Sequence, residues 1–244
     1  MPDSRPLLVP ALVLAVGVAV AGFLTGVGVA RVRADERAVT VKGVSEREAR
    51  ADLAIWPLRL VVAGDDLSRV NGEIARSVAT VRAFLARTGL DSAEVALQDF
   101  SVSDALANQY GGQATTTRYV IRQTVVVRST RPDRVLAASQ RVGELVSAGV
   151  VLSSGGEYGT GGPTFVFTGL NSLKPTMIAE ATARAREGAE QFARDAKSSL
   201  GGIRRATQGV FEILPRDQAP GITQESQIVK LVRVVTTVEY GLDE

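Results

Sequence analysis

Residues 173–200 read LKPTMIAEATARAREGAEQFARDAKSSL, and the spacing within them decides the fold class. Met177 or Ile178, then Ala181, Ala185, Ala189, Phe192, Ala196 and Leu200 recur at intervals of three and four, the period of one helix face. Asn171 or Ser172 supplies a cap, Pro175 falls in the first turn, and Gly201-Gly202 supplies a stop. At 1.5 Å per residue this helix is about 40 Å long. Its inward stripe is mostly alanine, so a neighbouring surface can approach closely. Glu180, Arg184, Glu187, Arg194 and Asp195 fall on the other face and read as a solvated surface with helical ion pairs. The helix is expected to lie across a sheet, and nothing on it carries chemistry.

Working outward, residues 38–44, 53–63, 95–103 and 118–129 alternate as strands. Ala54, Trp56, Leu58, Leu60 and Val62 share one face of the second, where Pro57 favours an edge position or a bulge. Tyr119, Ile121, Gln123, Val125 and Val127 oppose Val120, Arg122, Thr124 and Val126 in the fourth. Asp65 or Asp66 caps a helix with the stripe Leu67, Val70, Ile74, Val78, Val81 and Leu85, which Gly89 stops. Ser129 or Thr130, then Pro132 and Asp133, open a helix that carries Leu136, Val142, Leu145 and Val146 and closes at Gly149. Strands follow at 150–153, 164–168, 206–214 and 227–240; Ile228, Val232, Val234, Val238 and Tyr240 share a face of the last. The expected class is α+β: repeated β-β-α units, mostly antiparallel sheet with layered helices, plus one N-terminal transmembrane helix.

That transmembrane helix rests on residues 7–30, LLVPALVLAVGVAVAGFLTGVGVA, which carry no charge and are long enough to span a bilayer. Arginines interrupt residues 30–34, so no small-x-small cleavage site follows, and an uncleaved anchor is preferred over a removed signal. Gly22 and Gly26 form a GxxxG. The organisation read from the chain is a tail at 1–6, the anchor (or uncleaved signal) at 7–30, a linker at 31–37 and one domain at 38–244. Arg31, Arg33 and Arg37 outnumber Arg5 across the span, so the positive-inside rule alone puts the large domain in the cytoplasm.

Composition excludes several chemistries. The chain of 244 residues has no cysteine and no histidine. Disulfides, thiolate metal sites and histidine-based nucleophilic catalysis are therefore unavailable to it. Beyond residue 33, acidic and basic residues are equal in number, which argues against a nucleic-acid partner. The pair Arg204-Arg205 reads as a solvated patch at a helix exit. The glycine-rich run SSGGEYGTGGP at 153–163 has neither the lysine nor the helix of a phosphate loop, and reads as a turn or flexible hairpin. Asp65-Asp66 reads as a cap, Glu239, Asp243 and Glu244 as a solvated terminus, and Trp56 and Tyr119 as core or sheet-face residues. No catalytic, cofactor-binding or metal-ligating residue is assigned, and no cofactor is expected.

Several segments, taken in order, resemble one family. VTVKGVSE (39–46), FSVSD (100–104), the loop with Tyr110, RYVIRQTVVV (118–127), AGVVLSSGGEY (148–158), the strand, linker and alanine helix of 165–203, and TTVEYGL (236–242) are similar to SIMPL-domain proteins. The resemblance implies a periplasmic or envelope location, which is set against the arginine bias, and no enzymatic activity. It further implies assembly into rings or channel-like oligomers and a link to oxidative-stress tolerance; no catalytic residues are carried over. The expectation is a non-catalytic envelope protein, held in the membrane by 7–30 with its domain outside the cytoplasm and acting as a homo-oligomer. The alternative is a periplasmic adaptor that binds a ligand or protein with loops 104–117 and 155–163.

Overall fold

A computed structural model describes residues 8–34, 37–107, 117–153 and 161–243. The tail at 1–6, Glu244, Tyr110 and most of the loops 104–117 and 155–163 lie outside the described residues. Helix α1 spans Leu8–Ala34, and its side chains at 12–25 are exposed throughout. Among the described residues no helix is long and apolar enough to cross a membrane. The side chains described on α1 cover less than the roughly 20 residues that a span needs.

The chain continues as β1 (Ala38–Arg50), β2 (Leu53–Gly64), α2 (Leu67–Arg87), β3 (Val95–Asp104), β4 (Tyr119–Ser129), α3 (Pro132–Gln140) and α4 (Gly143–Ser147). It ends as β5 (Thr164–Val166), α5 (Leu170–Asp195), β6 (Ser199–Gln208), β7 (Glu212–Pro215) and β8 (Val229–Asp243). This is an α+β chain. One sheet has the order β3-β4-β2-β5; the other has β1-β8-β6, with β7 also on β8. The pairs β2–β4, β2–β5, β3–β4, β6–β8 and β7–β8 are antiparallel. The β-β-α order holds for the first two units, but a single strand precedes α5 and three follow it. Two compact units emerge: residues 1–45, 176–211 and 234–244, and residues 46–175 and 212–233.

The second unit is built on large side chains. Trp56, Leu58, Leu60, Ile121, Val125 and Val127 alternate inward from β2 and β4 and pack with Val70, Ile74, Val81, Phe84 and Leu85 of α2. The Asp66 carboxylate accepts from the Arg69 amide at 2.8 Å and caps α2. Pro57 is neither at a bulge nor on an edge strand; it pairs with Val126 inside β2. It is tolerated because the other side of β2 meets β5 only at residues 53–55 and the 151–153 segment only near Arg59 and Val61, so its missing N–H faces a gap.

Three further expectations are corrected in this unit. The strand expected at 150–153 is a single bridge, Leu60 to Leu152. The helix expected to run to Gly149 breaks between Gln140 and Gly143, where glycine and the back-bonded Ser139 hydroxyl weaken it. At its start Arg131 is the cap residue, and Ser129 Oγ accepts from the Arg131 amide at 3.0 Å. The unit also buries Lys230 completely, with Nζ donating to the Gln224 and Gln227 carbonyls. Burial pulls the Lys230 pKa below its ordinary value, and Glu225 offsets this in part.

The first unit is built on small side chains. The buried ladder of α5 is Met177, Ala181, Ala185, Ala189 and Ala193, a strict spacing of four. Phe192 is 60% exposed and Ala196 is exposed, so the expected stripe drifts off the buried face after Ala189. The helix starts at Leu170, which leaves Pro175 inside it. It ends in a left-handed residue, Lys197 (φ 54), with the Ser198 amide on the Ala193 carbonyl at 2.9 Å and the Lys197 amide on that of Arg194 at 3.1 Å. Gly201-Gly202 are therefore not the stop; they lie in β6 at a register shift. Arg204-Arg205 also lie in that strand, with Arg205 opposite Glu239, and the strand expected at 206–214 is really two, β6 and β7.

The ladder meets β1, which runs past the expected end at Val44 to Arg50. A Cβ on Gly43 would collide with the Ala181 carbonyl and come within 2.6 Å of the Ala185 amide nitrogen. Two residues expected in solvent clamp this contact. Glu180 accepts from the fully buried Ser45 hydroxyl at 2.8 Å, and Arg184 donates to the Val44 carbonyl at 2.8 Å.

Gly43→Ala is expected to cost about 3 kcal/mol through forced separation of helix and strand. A control is Gly72→Ala on α2, where a Cβ meets nothing within 4 Å. It is expected to be neutral or to gain up to about 1 kcal/mol. Urea midpoints of the full-length protein in mild detergent check both.

Candidate functional site

β3 ends its sheet, so one of its backbone edges has no strand against it among the described residues. Most of its residues are exposed, including large apolar ones: Leu97 at 44%, Phe100 at 56% and Val102 at 47%. A bulge interrupts it. Pairing runs to Gln98 opposite Thr124 and resumes at Ser101 opposite Arg122, so Asp99 and Phe100 together face the single residue Gln123. Asp99 takes the left-handed conformation (φ 53), and Gln123 Nε2 donates to the Gln98 carbonyl at 2.7 Å. The bulge thus explains why a glutamine occupies the inner row of β4.

Both ends of β3 are pinned. At the start, the Glu94 carboxylate accepts from the Asp91 amide at 2.8 Å, from Ser129 Oγ at 2.5 Å and from Arg131. Burial pushes the Glu94 carboxyl up, but the bonds from Ser129, Arg131 and the Asp91 amide outweigh it and hold its pKa below the ordinary value. At the other end Asp104 pairs with Arg118 at 3.3 Å and accepts from the Leu106 amide at 3.0 Å. The bond from Arg118 leads in keeping the Asp104 carboxyl below its ordinary range. The Arg118 amide donates to Asp65 at 3.0 Å, and its guanidinium lies 4.8 Å from the centre of the Tyr119 ring.

Each residue weighed from sequence now has a place. Asp66 caps a helix, Asp65 holds the start of β4, Trp56 is core, and Tyr119 lies under Arg118. Glu239 faces Arg205, and Asp243 faces Ser199. Among the described residues no group of three or more acidic side chains could hold a metal ion. In the two loops expected to bind a ligand, Ala105 to Ala107 form a turn after β3 and Gly161-Gly162 form a bend.

Among the described residues the second unit carries several concavities, two of them lined in part by β2. The larger, about 710 Å³, is an open groove along α2 where Ser77 and Thr80 spend their hydroxyls on their own helix carbonyls. The smaller, about 210 Å³, lies beside the bulge and is lined by Arg59, Arg122, Asp99, Ser101, Thr124 and Ser153. Neither the β3 edge nor this pocket was expected. The signal for the edge was present: apolar residues fall at 95 and 97, then at 100 and 102, and that change of parity at Asp99 marks the bulge.

A family model, SIMPL, described as a protein of unknown function (DUF541), matches residues 39–236. No match to a curated protein was found.

Glu94→Gln is expected to lower stability at neutral pH by about 1–2 kcal/mol, the worth of charge-assisted bonds lost from a mostly buried carboxylate. Because the folded-state pKa is depressed, the native contribution is complete above the unfolded value of about 4.3 and disappears as pH falls through the folded one. The gap between native and variant urea midpoints should therefore hold at neutral pH and shrink as pH falls below about 4.3. A constant gap would mean that Glu94 acts through shape alone.

Proposed function

The chain belongs to the SIMPL family, and from that premise we propose that it is a non-catalytic envelope protein that acts by self-assembly through the edge of β3. The carrying observation is that edge: an unpaired strand bearing exposed Leu97, Phe100 and Val102. Exposed flat edges invite pairing with another chain, and a second copy of β3 offers matching hydrogen-bond groups and apolar side chains. Residues 7–30, uncharged in sequence and helical from Leu8, support an anchor in the membrane. Several anchors in one assembly would hold the membrane far more firmly than one. The domain lies outside the cytoplasm in this reading, as the resemblance implies, and the role is envelope or oxidative-stress tolerance. Absence of histidine and cysteine supports a role without catalysis.

The full-length protein in mild detergent is expected to run as a discrete multimer across micromolar concentrations, as is the chain beginning at Ala38. Phe100→Lys with Val102→Lys places two charges on the edge and should give a folded monomer with the native far-UV circular dichroism spectrum. A monomeric native protein refutes self-assembly. A multimer indifferent to the two lysines moves the interface away from β3.

A further inference from the structure

Among the described residues, two cations on the outward face of the β3-β4-β2 sheet are held by no carboxylate. In register, Arg59 sits opposite Thr124 and Val61 opposite Arg122, so both arginines lie on one face in neighbouring rows of adjacent strands. Ser101 of β3 is opposite Arg122 on that face. Ser153 arrives from the segment whose amide donates to the Arg59 carbonyl at 2.8 Å. These groups converge on the 210 Å³ pocket beside the bulge. Among the described residues neither guanidinium, nor the hydroxyl of Ser101, Thr124 or Ser153, makes a hydrogen bond or ion pair. Arg50, Arg118, Arg131, Arg141, Arg216 and Arg233 hold carboxylates; what sets Arg59 and Arg122 apart is that they share one pocket with three hydroxyl-bearing residues.

We infer that this pocket binds a tetrahedral oxyanion, phosphate in chemistry, between Arg59 and Arg122. Two guanidiniums supply directed paired donors, and three hydroxyls approach from separate strands and a loop. Such a spread of directions suits a tetrahedral group better than a planar carboxylate. At about 30 Å³ per water, the volume accommodates the anion and several waters. Asp99 sets the selectivity. Asp99 lines the same pocket and sets one anion against two cations, which favours a singly charged phosphodiester over a dianionic monoester. The bulge that places Asp99 there also gives it a left-handed backbone, a conformation that asparagine shares readily.

The test is calorimetric titration of the full-length protein in maltoside detergent at low salt, with inorganic phosphate, methyl phosphate and dimethyl phosphate as probes. Arg59→Gln and Arg122→Gln should each weaken binding about tenfold or more. Asp99→Asn keeps the bulge and should tighten the dianionic probes several-fold while changing dimethyl phosphate less. Preference of the native protein for dimethyl phosphate points to a headgroup-like diester as the natural ligand, and preference for inorganic phosphate points to a free ion. No binding at millimolar probe, or binding that survives both glutamine variants, overturns the inference. Either result leaves the assembly reading standing, since Arg59 and Arg122 lie on β2 and β4 and not on β3.

Discussion

A helix can lie against a sheet at backbone distance only where the sheet offers no side chain, and Gly43 is that place in β1. Its α-carbon faces the Ala181 carbonyl and the Ala185 amide with no room for a methyl group. The alanine ladder and the glycine are two halves of one constraint. Neither half buries much apolar area, so the contact depends on dispersion at close range and on the bonds that frame it. Ser45 to Glu180 and Arg184 to Val44 supply those bonds at the two residues directly after Gly43. Val41, Ala185, Ala189, Val238 and Tyr240 then close a small core around it.

The second unit follows the opposite rule, with Trp56, Phe84 and Phe165 buried and volume filled by large side chains. Its sheet is finished on one face only. The inner face packs on α2, while the other carries Arg59, Arg122 and Arg128, and β3 leaves an edge open. The bulge and the charges of Asp99 and Asp104 restrain that edge in the way natural edges are restrained. They do not hide Leu97, Phe100 and Val102, each worth about 1.5–3 kcal/mol on full burial. One such edge makes a weak contact; several held together in the proposed assembly would make a strong one.

Much of the fold was legible because it is periodic. The α2 stripe with its Asp66 cap, the alternation of β2 and β4, and the alternate residues of β8 all follow from local spacing. What escaped the sequence depends on partners. The alanine stripe announced a close neighbour without identifying Gly43. Phe192 kept the helical period yet faces solvent, because the strict fours from Met177 to Ala193 set the buried line. Gly201-Gly202 resembled a helix stop, but Lys197 takes the left-handed turn first and the glycines serve a register shift. The pocket was invisible because Arg59, Arg122, Ser101 and Ser153 are brought together only by strand register and a bulge.

The edge of β3 is the claim on which the functional account stands, and residue-resolved amide hydrogen exchange reads it directly. In an isolated sheet, alternate amides of residues 95–104 point away from β4 and exchange freely. In the assembled protein in detergent, the account predicts that the outward amides are protected to the level of the central strand β4. Free exchange at alternate positions, at concentrations where the protein is multimeric, would contradict it.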